Sequence, residues 1–130
     1  MSMDLSGTFR DAYEFFNSQN WPQLKLLLDH DVTMKKLDDK VKPQHHDGKA
    51  EVVGYFLGHG ADDRAKFTPD EPPYYKEIGN IGLVAGSAKW QDKSSSPNTV
   101  PIAYAFTFTK DAKGNWLALH LWGSYTNCTK

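Results

Sequence analysis

The stretch GNWLALHLWGSYT, residues 114–126, decides how this chain is read. In an extended strand successive side chains point to opposite faces. Leu117, Leu119 and Leu121 then share one face, while Trp116, Ala118, His120 and Trp122 share the other. Neither face is dressed for water, so both sides of this strand are expected to be covered. One of them carries an ionisable ring among tryptophans. Parity holds only while the strand is regular, and a bulge near Gly123 would break it.

Outward from this stretch, the pattern stays β. VPIAYAFTFT, residues 100–109, places Val100, Ile102, Tyr104, Phe106 and Phe108 on one face and Ala103, Ala105, Thr107 and Thr109 on the other. KDAKGN joins it to the opening stretch as a hairpin. A strand or strand pair is expected from about Tyr75 to Trp90, bent at the Gly79-Asn80 turn signal. Along it Val84, Gly86 and Ala88 lead to Trp90 on a face with little bulk. QDKSSSPNT reads as a loop. The three prolines of KFTPDEPPYY confine any strand there to a sheet edge.

The first half of the chain is mainly helical. Leu5, Phe9, Ala12, Tyr13 and Phe16 recur at helical spacing between about Asp4 and Ser18. WPQLKLLLDHD reads as a second, short helix, with Pro22 suited to its first turn and Leu24, Leu27 and Leu28 as its buried stripe. VTMKKLDD is expected as a strand and DKVKPQHH as a loop. A third helix starts at Asp47 or Gly48, buries Val53, Phe56 and Leu57, and ends at the GHG string, residues 58–60. Helices first and an antiparallel sheet afterwards is an α+β order in one domain, residues 1–130.

Composition excludes more than it assigns. Fifteen basic and sixteen acidic residues nearly cancel, so no surface is prepared for nucleic acid or anionic lipid. No apolar run approaches the ~20 residues needed to span a bilayer, and MSMDLSG lacks a signal peptide's segments. Cytoplasm is the expected compartment. The lone Cys128 forms no internal disulfide. His45, His46 and Asp47 lack partners at ligand spacing, so no metal is expected. GHG lacks a dinucleotide loop's context, and no cofactor is expected either.

The order of these segments, with LLLDHDVTM, DGK, GLVAGSAKW, AYAFTFTKDAKGNW and LHLWGSYT, resembles the NTF2-like superfamily, and within it the SnoaL-like small-pocket members. The resemblance covers about Leu5 to Thr126. It implies a cone: three N-terminal helices packed on a curved, mostly antiparallel sheet, enclosing an apolar pocket and dimerising through the sheet. It also implies a comparison with ketosteroid-isomerase relatives, which use a helix-one tyrosine, a first-strand aspartate base and a second acid from the sheet. Tyr13 resembles the tyrosine. The base position falls near Lys36, with Asp38 on the same face, and the sheet position falls among Tyr104 to Phe106.

The candidate catalytic residues are therefore His120, Tyr13 and Asp38. His120 resembles the histidine at the end of the family's last strand, and imidazole titrates near neutrality. Phe16, Trp90, Tyr104 and Trp122 are the candidate ligand-binding residues. The expected function is binding of a small apolar or aromatic molecule, polycyclic substrates included. Acid–base catalysis of an isomerase, dehydratase or cyclase type goes with that reading. The alternative is a non-catalytic binding or assembly module with a silent pocket. The expected partner is a second copy of the chain.

Overall fold

The computed structural model describes residues 4–37, 43–54, 66–91 and 99–125. Helix α1, Leu5–Asn17, opens on Asp4, whose side chain accepts a hydrogen bond of 2.8 Å from the Gly7 N–H. This satisfies one of the free donors of the first turn. Leu5, Phe9 and Phe16 form its buried stripe. The chain leaves the helix through Gln19 in the left-handed region, φ 61°, and enters α2, Trp21–Leu26, with Pro22 in the first turn.

The sheet runs β2-β1-β7-β6-β5-β3, with β4 also paired to β5. Its strands are β1, Leu28–Leu37; β2, Pro43–Asp47; β3, Lys66–Pro69; β4, Tyr74–Ile78; β5, Ile81–Gln91; β6, Val100–Lys110; and β7, Trp116–Tyr125. Among the described strands β1 and β7 pair in parallel and the other pairs are antiparallel. A helical stretch at residues 48–54 follows β2 and buries Val52 completely. Phe56, Leu57 and the GHG string lie outside the described residues. No described helix is long and apolar enough to cross a membrane.

Helix α2 stops at Leu26, so Leu28 to Asp31, expected as its continuation, instead begin β1. A second expectation is corrected at the sheet edge. Part of the polar segment read as a loop is β2, paired with β1 from Thr33 opposite Asp47 to Leu37 opposite Pro43. An outermost strand needs a partner on one side only, so hydrogen bonding to β1 holds it without an apolar alternation. Proline is tolerated there as the strand's first residue.

The opposite edge of β5 is divided. β3 pairs with Ala88 to Gln91, and β4 pairs with Ile81 to Ala85. Asp70 bridges the gap: its N–H reaches the Ser87 carbonyl at 2.9 Å, and its carboxylate accepts from the Ser87 hydroxyl at 2.6 Å. Helix α1 then protects the outer side of β3. Asn17 Nδ2 donates to the Phe67 carbonyl and Asn17 Oδ1 accepts from the Phe67 N–H, both at 2.8 Å. The side-chain amide stands in for a neighbouring strand, with two bonds contributing about 0.5–1.5 kcal/mol each.

The first turn of α1 lies close to the sheet at Gly82. A Cβ there would stand 2.9 Å from Leu5 Cδ2 and 3.2 Å from Trp116 Cζ3. Those side chains are 1% and 3% exposed and have little room to withdraw. The main core therefore sits between α1 and the concave face of β5, β6 and β7.

The last strand is not regular. Phe108 pairs with Ala118, but the adjacent Thr107 pairs with His120. Leu119 is the extra residue of a β-bulge, and from there onward the faces exchange. Trp116 and Ala118 face the core, 3% and 2% exposed. Beyond the bulge Leu121 stands opposite Phe106 on the concave face, while His120 and Trp122 stand opposite Thr107 and Ala105 on the convex face. The shared face expected for Trp116, Ala118, His120 and Trp122 is thus split in the middle. The leucine face is split as well: Leu117 remains convex and Leu121 turns inward.

Candidate functional site

Between α1, α2 and the concave sheet lies a cavity of about 150 Å³. Its walls are side chains that alternation and helical spacing bring together. Tyr13 and Phe16 come from α1, Tyr104 and Phe106 from β6, Trp90 from β5, and Leu121 from β7. Phe16 and Trp90 stack, centroids 5.8 Å apart and planes 29° from parallel. Phe9 and Tyr104 stack at 5.7 Å and 11°. Phe67 meets Tyr104 edge-on at 5.2 Å. Such rings bury large areas in preferred geometries. Space remains because Ala12, Ala118 and Gly123 contribute almost no bulk to the lining.

The candidate residues named from the sequence divide into three groups. Tyr13, Phe16, Trp90 and Tyr104 line the cavity. Trp122 borders it from beside Gly123, although its register partners, Ala105 and Lys35, place its side chain on the convex face. His120 is on that face too. Its Nδ1 lies 2.6 Å from the Thr33 hydroxyl, and its strand partners are Thr33 and Thr107. The expectation that the imidazole points into the concave pocket is corrected, and the Leu119 bulge is the cause. His120 and Tyr13 therefore stand on opposite sides of the sheet. Asp38 lies outside the described residues, and Lys36 is described only in its backbone pairing with Gly123.

Polar chemistry in the cavity is sparse. Among the described residues no carboxylate or imidazole lines it. Burial holds the Tyr13 hydroxyl above the usual tyrosine range, and Glu71 adds to the effect. Tyr104 is raised much further, first by burial and then by Tyr75, Glu71 and Asp70. Removing a phenol from water disfavours its anion, so both hydroxyls remain protonated near neutral pH. The Tyr104 side chain is 2% exposed, and its Oη has no hydrogen-bond partner among the described residues.

Leu121, Phe106 and Phe67 are among the wall residues that the candidates did not include. Leu121 was hidden by the bulge, which leaves no signature in a strand of leucines. Phe106 was recognised as sharing Tyr104's face but not as cavity wall. Phe67 lies in a proline-rich segment, where the alternation of buried Phe67 and Pro69 was the available signal.

No family model and no curated relative matches this sequence. Solved structures do match its fold. An NTF2-like protein with a cystatin-like fold from Novosphingobium aromaticivorans superimposes with a TM-score of 0.74 at 14% identity, covering 95% of this chain and 80% of that one. A ketosteroid isomerase-like protein from Erwinia carotovora atroseptica gives 0.68 at 16%, covering 95% and 94%. A computationally designed 17-OHP binder gives 0.67 at 17%, covering 97% and 93%. The chain has the NTF2-like α+β fold.

Proposed function

We propose that this protein binds a small apolar or aromatic molecule in the cavity beneath α1. The observation that carries the reading is the cavity itself: about 150 Å³, walled by aromatic and aliphatic side chains. An apolar cavity of about that volume holds a benzene-sized molecule, so a single ring suits it better than a polycyclic skeleton. The design of a 17-OHP binder on this fold supports a ligand-binding use of it. Binding is favoured over acid–base catalysis because the described lining, which includes Tyr13, Tyr104, Lys35 and Ser124, offers no carboxylate or imidazole. A catalytic form would draw on Tyr13 together with Asp38.

Single-ring ligands such as toluene should quench tryptophan fluorescence saturably and raise the melting temperature. A ligand at a hundred times its Kd stabilises by about 2.7 kcal/mol. Trp90→Phe should remove most of the quenching. Quenching linear in ligand, with an unchanged melting temperature, would defeat the reading.

Leu83, Leu117 and Trp122 are only partly buried and share the convex face by register. Described helices α1 and α2 pack on the other side. A second copy covering this face would complete the homodimer, with apolar patches as its driving surface. Leu117→Asp should convert a sedimenting dimer to monomer. A wild-type protein that sediments as a monomer at high micromolar concentration rules this out.

A further inference from the structure

Resting on the cavity as a ligand site, we propose that Gly123 is its specificity-determining residue, and that the ligand is a single apolar ring with an unbranched alkyl tail passing over the Gly123 backbone. Glycine in the interior of a strand weakens it, and it commonly marks a bulge or the close approach of another group or a ligand. The described strand glycines divide along these lines. A Cβ at Gly82 would stand 2.9 Å from Leu5 Cδ2, and one at Gly86 would meet the Tyr104 hydroxyl at 3.4 Å. At Gly123, among the described residues beyond its chain neighbours, a Cβ would meet only the Ala103 carbonyl oxygen, at 3.9 Å.

Neither backbone conformation nor register calls for glycine at this position. The described glycines with positive φ are Gly48, Gly79 and Gly114, so Gly123 lies outside the left-handed region. Its pairing is continuous on both sides, from His120 to Tyr125 against β6 and from His120 to Ser124 against β1. Gly123 stands opposite Tyr104 on the concave face and lines the cavity. The volume that a side chain would fill there is left to the cavity.

The cavity has an enclosed end and an open one. Ala118 and its register partners Leu28 and Phe108 line the enclosed end, and all three are buried. At the other end Gly123, Ile102 and Trp90 are half-buried, and Lys35 is exposed. A benzene-sized ring fills about 150 Å³, so the rest of a larger ligand runs toward Gly123. The bare strip is one residue wide, bounded by Leu121 along β7 and Tyr104 across on β6. Neighbouring strands are only about 4.8 Å apart, which suits an unbranched chain. The apolar lining disfavours a charged one.

Calorimetric titrations of wild type, Gly123→Ala and Gly123→Val with benzene and n-propylbenzene test the assignment. Wild type should bind n-propylbenzene at least tenfold more tightly than benzene, because each buried methylene is worth about fourfold. Gly123→Val should abolish that preference and leave benzene within about twofold of wild type, since its three added carbons take the place of the tail. Gly123→Ala should reduce the preference about fourfold, by one carbon. Neither ligand-free variant should melt below wild type. In isotope-filtered NMR spectra of the wild-type complex, the propyl protons should show nuclear Overhauser effects to the Gly123 Hα and the ring protons to the Ala118 methyl. Equal weakening of both ligands by Gly123→Val overturns the Gly123 assignment and leaves the cavity reading standing. Absence of the effect between the propyl group and Gly123 overturns it as well, even if the variants fail to fold. Failure of wild type to bind either ligand overturns both.

Discussion

Phe9→Ala should lower the unfolding free energy by about 3–5 kcal/mol, the range for a fully buried aromatic truncated to alanine. Phe9 is 1% exposed and meets five rings: Tyr13 at 5.2 Å, Tyr104 at 5.7 Å, Phe106 at 6.0 Å, and Phe67 and Tyr75 at 6.3 Å. It is the point where α1 is fastened to the sheet. Neighbouring rings cannot collapse into the space without leaving their own packing, so transfer and cavity terms both apply. The melting temperature should fall by roughly 10–20 °C for a domain of this size. Urea denaturation followed by circular dichroism measures the loss directly. A change below about 1 kcal/mol would place Phe9 outside the core, because a surface substitution is usually within that range.

Deletion of a single residue should have opposite consequences in neighbouring strands. Removing Leu119 takes out the bulged residue, so Phe108 opposite Ala118 and Thr107 opposite His120 become consecutive regular pairs. Every downstream side chain keeps its face. This variant should fold cooperatively, with a loss of roughly 1–3 kcal/mol from the altered bend of the strand. Removing Ala105 from the regular part of β6 should be far worse. It forces either Ile102 and Tyr104 or Phe106 and Phe108 from the concave to the convex face, since a one-residue slip inverts a strand. Loss of more than about 5 kcal/mol, and in practice no cooperative transition, is the expected result. Amide dispersion in NMR spectra and thermal melts distinguish the two. If the Leu119 deletion unfolds as completely as the Ala105 deletion, the bulge is wrongly placed and His120 belongs on the cavity side.

The cavity wall was legible where spacing alone carries the information. Tyr13 and Phe16 were placed by helical periodicity, and Trp90 and Tyr104 by strand alternation. His120 was misplaced by the same rule. Alternation propagates faithfully along a strand only while pairing is continuous, and one extra residue reverses everything beyond it. In Leu117-Ala118-Leu119-His120 nothing local distinguishes a bulged leucine from a paired one. The irregularity belongs to the contact with β6, and with β1, whose register against β7 also shifts between Leu28 and Thr33.

The sequence by itself determined the α+β order, the extent of α1, the β6–β7 hairpin, and the inward face of β6. Each depends on short-range periodicity or turn chemistry, so a local window contains the cause. Tertiary structure alone decided that a polar segment would be an edge strand. It also decided that Leu121, not Trp122, would turn inward, and that Tyr104 would stand between two glycines with its hydroxyl unpaired among the described residues. These outcomes depend on which backbones lie side by side and on where their registers slip. Residues far apart in the chain settle them together, and the physical reason is that hydrogen-bond pairing and burial are satisfied between strands rather than along one.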